Sequence, residues 1–191
     1  MGGRPRSWCR LVDGLESPLG ADEVRVFVLA TGDRDRVRAE TRAILGALIH
    51  VASDAIVFDI GPQGKPTLRN DPSLFFSTSH SDTVSMIAVT RVADIGVDVE
   101  RCRAVPRAET ILRRFFAHDD VESILSDDRR DFRFAQAWTG AEATVKVRGA
   151  SVWEAATPDP RVEVRALPAP EGYAASVAVA ARGWRIVQRD R

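Results

Sequence analysis

The chain has 191 residues, 45% of them apolar, and 27 basic side chains balance 27 acidic ones. That length supports one good-sized core or two small halves sharing one, and a net charge of zero lacks the basic excess of a nucleic-acid binder. Cys9 and Cys102 are far apart and in no metal-type spacing, which reads as a reduced, cytoplasmic protein.

Residues 1–20, MGGRPRSWCRLVDGLESPLG, lack the apolar stretch of a signal peptide and are expected to form a flexible N-terminal arm. No uncharged run approaches the ~20 residues that span a bilayer, so no membrane partner is expected. Val24–Ala30 is a β-branched and aromatic run, a strand. From Asp33 to His50 the apolar residues Val37, Ile44, Leu45, Leu48 and Ile49 recur at helical spacing, with Thr31 or Asp33 as the cap. Arg34, Arg38 and Arg42 step by four and form one basic ridge on that helix. Ile56–Ile60 is a short strand running into the turn GPQGKP. Phe75–Ser79, Val84–Thr90 and Ile95–Glu100 follow as strands at hairpin separations, which predicts an antiparallel sheet.

After Arg103 the pattern turns helical over Val105–Phe116, Asp119–Leu125 and about Asp128–Arg148, where Gly149 stops it. Strands are then expected at Val162–Leu167, Tyr173–Ala180 and Trp184–Gln188, with TPDPR and PAPEGY as turns. The predicted fold class is α+β. Two lobes, 21–103 and 104–191, each carry a helix on a small antiparallel sheet, with a cleft between them where a small molecule can lie.

The stretch DIGVDVE, Asp94–Glu100, alternates with period two. Ile95, Val97 and Val99 should face a core, leaving Asp98 and Glu100 together on the other face, about 6–7 Å apart. Two such carboxylates repel unless something compensates them. Either this is a solvated face eased by Arg101 or Arg103, or a third carboxylate joins them. Three carboxylates without a Cys or His cluster suit a hard cation, Mg²⁺ before Zn²⁺, and Glu142 is the natural third ligand. Trp138, Glu142 and Lys146 stand in one helical column, which alone reads equally as a core tryptophan beneath a surface ion pair. Phe75–Ser81, FFSTSHS, is either a solvated hairpin end or a phosphate site with hydroxyl and imidazole donors. Lys65 on the turn Gly64-Lys65-Pro66 adds a cation, although GKP lacks the surroundings of a P-loop.

Taken in order, GKP, F-x-x-SHS, IGVDVE and W-T-x-x-E-A-x-x-K resemble the motif series of the 4′-phosphopantetheinyl transferases, the larger single-chain type typified by the surfactin-synthetase activating enzyme. The resemblance implies two pseudo-symmetric lobes, with coenzyme A between them as co-substrate and Mg²⁺, or Mn²⁺, as cofactor. It also implies a monomer. By that likeness Asp98, Glu100 and Glu142 match the metal-binding acids, and Asp98 counts among the cofactor-binding residues. Lys65 with Pro66, Ser79 and His80 match positions at the 3′-phosphate end of coenzyme A. Arg38 and Arg42 match its basic nucleotide-binding helix. Lys146 matches the lysine that meets the pyrophosphate, and Glu142 and Lys146 the catalytic pair. The implied partner is an apo acyl or peptidyl carrier protein of fatty-acid, polyketide or non-ribosomal peptide synthesis, docking near Arg101, Arg103, Arg107, Arg113 and Arg114.

Two positions depart from the pattern. Ala141 replaces the family lysine before the motif glutamate, and Ser77 replaces a common asparagine. The alternatives are a catalytically silent binder of coenzyme A or carrier protein, and the small trimeric holo-carrier-protein synthase, against which the full first lobe argues.

Overall fold

The computed structural model describes residues 17–61, 64–149 and 160–190. Its strands are β1 (Glu23–Leu29), β2 (Phe58–Ile60), β3 (Pro66–Leu68), β4 (Phe75–Ser81), β5 (Val84–Thr90), β6 (Ile95–Arg101), β7 (Glu163–Leu167), β8 (Tyr173–Val179) and β9 (Arg185–Asp190). The helices are α1 (Arg34–Ile49), α2 (Ala108–Phe115), α3 (His118–Leu125) and α4 (Arg130–Arg148).

Alternation builds two facing sheets. In β1, Val24, Val26 and Val28 turn to one side, where Val84, Met86 and Ala88 of β5 join them. Against this layer pack Ile95, Val97 and Val99 of β6 and Ala175, Val177 and Val179 of β8, sealed by Trp184. Phe27, Leu29, Ile87 and Val89 occupy the reverse face and bury under Ile44 and Leu45 of α1. Each such side chain contributes about 1.5–3 kcal/mol by leaving water. On the far side of the second sheet, α4 packs over β6 and β8, and Leu112, Val121, Ile124 and Phe134 tie α2 and α3 to its start. The order of layers is helix, sheet, sheet, helix, an α+β fold with small, mainly antiparallel sheets.

Helix ends follow local chemistry. Asp33 caps α1 by accepting the N–H groups of Asp35 and Arg36 at 2.9 and 3.3 Å. Gly149 closes α4 in the left-handed region, φ 65°. The helix expected from Val105 begins only at Ala108, because Pro106 is followed by Arg107 in a left-handed conformation, φ 64°.

Strand partners depart from expectation. The sheets are β4–β5–β1–β9, β6–β8–β7 and the small pair β2–β3. β6, expected in the first lobe, belongs to the second sheet, and β9 returns to the first sheet, parallel to β1. The sheets therefore do not part at the expected 103/104 boundary: the two halves exchange strands. β1 also starts on charge, with Glu23 and Arg25 buried against each other at 2.7 Å. Arg25 reaches on to the carbonyls of Ser17 and Pro18 at 3.1 and 3.3 Å, which fastens the last residues of the expected arm. Residues 1–16 of that arm, and most of the turn TPDPR, lie outside the described residues.

Candidate active site

The site grows from the face of β6 turned away from the core. Gly96, Asp98 and Glu100 share that face beneath α4. A side chain at 96 has no room: a Cβ there would lie 2.0 Å from the carbonyl oxygen of Ala143 and 2.9 Å from Lys146 Cβ. This close approach lets the Lys146 ammonium reach Asp98 Oδ1 at 2.7 Å and the Val97 carbonyl at 3.0 Å. Ser79 Oγ donates to the same Oδ1 at 2.7 Å. Asp98 is buried, 4% exposed, and its second oxygen, Oδ2, has no hydrogen-bond partner among the described residues.

Glu100 and Glu142 stand half-buried near this carboxylate. Both carboxyls are held above the ordinary glutamate range, first by loss of solvent and then by the Asp98 charge. Ser81 and Arg103 oppose the rise at Glu100, and Lys146 opposes it at both. A folded state that holds these protons more tightly than the unfolded chain is weakened as pH rises above about 4.5, the ordinary glutamate value. Removing one charge should relieve the strain. In the metal-free protein at pH 7, Glu142→Gln is expected to raise the midpoint of thermal unfolding by about 2–4 °C. The gain should vanish when melting is repeated below the glutamate range, and a variant that melts lower at pH 7 would contradict the repulsion.

Period two sorts FFSTSHS. Ser77, Ser79 and Ser81 face β6, whereas Thr78 and His80 are exposed. His80 Nε2 accepts from Arg34 Nε at 3.2 Å, so the first member of the basic ridge reaches the site series. Arg38 is exposed and pairs with Asp35 at 3.4 Å. Arg42 braces the fold, donating to the Ile56 carbonyl at 2.6 Å with its guanidinium over Phe58. Lys65 Nζ donates to Asp94 and to the Val147 carbonyl at 3.1 and 3.0 Å, fixing the GKP turn to the end of α4. Lys65, Pro66, Thr78, Lys146 and Gly149 line a cleft of about 240 Å³. A second hollow of about 210 Å³, lined by Arg103, Val105, Ile111 and Trp138, opens on Glu100. The larger groove beside Leu29, Pro168 and Tyr173, about 590 Å³, contains none of the expected site residues.

Among the expected docking arginines, Arg101 pairs with Asp82, and Arg113 with Glu109 and Glu122, so part of that charge is compensated internally. Ser81 and Arg34 were not among the expected site residues. Their signal was in the chain, as the third serine of an alternating series and the first arginine of the ridge.

Among the described residues no three Asp, Glu, His or Cys side chains already stand in cation-holding geometry. The donors nevertheless fit a hard divalent cation: all are carboxylate oxygens, one is buried without a partner among the described residues, and two carboxyls are pushed up by burial and then by the Asp98 charge. No described helix is long and apolar enough to cross a membrane.

The profile of the 4′-phosphopantetheinyl transferase superfamily matches residues 94–184. Over 167 residues the chain is 30% identical to the 4′-phosphopantetheinyl transferase HetI of Nostoc sp., covering 78% of this chain and 70% of that protein. It is 31% identical over 113 residues to the 4′-phosphopantetheinyl transferase psf-1 of Bacillus pumilus, covering 58% of this chain and 47% of that one. With the 4′-phosphopantetheinyl transferase AcpT of Escherichia coli it shares 28% over 153 residues, 78% of each chain.

Proposed function

Because the chain belongs to the 4′-phosphopantetheinyl transferase superfamily, we propose that the face shared by β6 and α4 moves the 4′-phosphopantetheine of coenzyme A onto a serine of an apo acyl or peptidyl carrier protein. The serine oxygen forms a bond to the phosphorus bearing pantetheine, the bond from that phosphorus to the pyrophosphate bridge breaks, and adenosine 3′,5′-bisphosphate leaves. The observation that carries this reading is Asp98: a buried carboxylate with one oxygen saturated by Lys146 and Ser79 and the other unpartnered, beside two strained glutamates.

Asp98, Glu100 and Glu142 would hold Mg²⁺ or Mn²⁺, which when bound supplies positive charge to the pyrophosphate. Lys146 adds a fixed cation at the same place and neutralises charge spreading over the phosphoryl oxygens. Glu142 accepts the serine proton, directly or through a water. Lys65, Thr78 and Lys146 give the cleft its donors for the nucleotide end, with Pro66 in its wall; the exposed His80, bonded to Arg34, stands two residues along β4 from Thr78. The acids and the lysine come from two elements of one chain, which supports the single-chain type acting as a monomer. Ala141 turns about 100° away from Glu142 on the helix, so its missing amine leaves the acids and Lys146 in place.

The test is a transfer assay with coenzyme A, Mg²⁺ and several apo-carrier proteins, read as mass gain of the carrier. Transfer that survives excess chelator would refute the metal assignment. Failure with every carrier, while coenzyme A still binds, would leave the silent binder. Within that assay His80→Ala should raise KM for coenzyme A roughly 10–100-fold, since a charge-assisted contact contributes about 1.5–3 kcal/mol. Dephospho-coenzyme A should show almost none of that effect. An equal loss with both substrates would remove His80 from the 3′-phosphate.

A further inference from the structure

Resting on the reading of Asp98, Glu100 and Glu142 as cation ligands, we propose that Ser81 is a positioning residue for that site: a hydroxyl that closes the open edge of β6 and aims Glu100 at the cation.

β6 is an edge strand of its sheet, and β4 is an edge strand of the other. Where they meet, serine hydroxyls on β4 stand in for strand carbonyls. Ser77, Ser79 and Ser81 Oγ accept the outward N–H groups of Val97, Val99 and Arg101 at 3.1, 3.4 and 3.1 Å. A hydroxyl that has accepted one bond still has a proton to give. Ser79 gives its proton to Asp98, and Ser81 gives its own to Glu100 Oε2 at 2.9 Å. Ser77 shares the rung geometry but has no acid among its partners.

Ser81 is itself held fast. It ends β4 at a turn where Asp82 takes a left-handed conformation and pairs with Arg101. One residue on, Thr83 Oγ1 lies 3.0 Å from the Tyr173 hydroxyl. The hairpin tip is thus pinned to both strands of the second sheet that flank the site. Glu100 needs such an anchor. It is only half-buried, and a glutamate side chain gives up rotamer freedom when it is fixed. With Oε2 tethered to a rigid turn, Oε1 has a defined direction before any cation arrives. Hydrogen-bond partners of metal ligands commonly act in this way.

Ser77 provides an internal control, because its removal breaks a rung and touches no acid. The experiment titrates Mn²⁺ alone into wild type, Ser81→Ala, Ser81→Thr and Ser77→Ala, and records melting of each metal-free protein. Both alanine variants should melt lower than wild type. Ser81→Ala should bind Mn²⁺ about tenfold more weakly, while Ser77→Ala and Ser81→Thr stay within about threefold of wild type. If Ser81→Ala binds Mn²⁺ as Ser77→Ala does, Ser81 is only a rung and the proposal falls. If threonine fails to restore affinity, the hydroxyl bond is not the cause and it falls likewise. If wild type binds no Mn²⁺, the cation reading of the acids falls and this proposal with it.

Discussion

Asp98→Ala is expected to lower kcat/KM about a thousandfold or more, the largest loss of any single substitution in the site. Of the three acids of the site this carboxylate is the buried one, and it touches both β4 and α4 through Ser79 and Lys146. Without it Lys146 keeps only the Val97 carbonyl, and the Ser79 proton loses its acceptor. Removing one partner of a buried pair can cost about 3–5 kcal/mol, but Lys146 retains partial access to solvent, so a loss nearer 1–3 kcal/mol is expected. Asp98→Asn separates the two effects. It keeps an oxygen for Ser79, so it should melt above the alanine variant while remaining nearly inactive, because the charge is gone. Substantial turnover in Asp98→Asn would show that the carboxylate charge is not what the reaction uses.

Gly96→Ala comes second, and acts with no functional group at all. The added Cβ would meet the Ala143 carbonyl at 2.0 Å, where ordinary contact begins near 3.4 Å. α4 must retreat by more than about 1 Å, and it carries Glu142 and Lys146 with it. Misplacement on that scale costs on the order of 100-fold in rate. The overpacking itself costs about 1–3 kcal/mol, or roughly 2–12 °C of melting temperature for a chain of this size. Gly140→Ala is the matched control on the same helix. Its nearest neighbour would be Val164 Cγ1 at 3.6 Å, an ordinary contact, and alanine favours a helix over glycine by about 1 kcal/mol. That variant should be at least as stable as wild type. A Gly96→Ala protein with wild-type turnover would mean that the close seating of α4 is not what sets Lys146 against Asp98.

Much of this was legible in the chain. Alternation in IGVDVE assigned Val97 and Val99 to the core and Asp98 and Glu100 to the opposite face, because side-chain direction in a strand depends only on position. Asp33 and Gly149 marked helix ends because capping is local chemistry. Partner choice is a long-range matter, and no periodicity encodes it. The pattern of β6 is the same whether it pairs in the first sheet or with β8, and nothing in RIVQRD says that it lies parallel to β1. The short strand Pro66–Leu68 offers too few residues to show a period. Glu23 and Arg25 violate the rule that charge stays outside, which holds only until two charges find each other. The serines were visible as a series, but their task of satisfying the backbone of β6 depends on an edge that only the folded topology creates.

The parallel pairing of β1 with β9 also sets a timetable for synthesis. Glu23 and its partner Arg185 are 162 positions apart. At a translation rate of roughly 5–20 residues per second, β1 waits about 8–32 s for the strand that covers its free edge. During that interval an unprotected VRVFVL segment presents open hydrogen-bonding groups and apolar side chains, the makings of intermolecular β-pairing. Glu23 and Arg25 sit at the head of that segment as charged gatekeepers before they become a buried pair. Because its edge is covered so late, the first sheet cannot finish folding on the ribosome ahead of the second; the two are completed together.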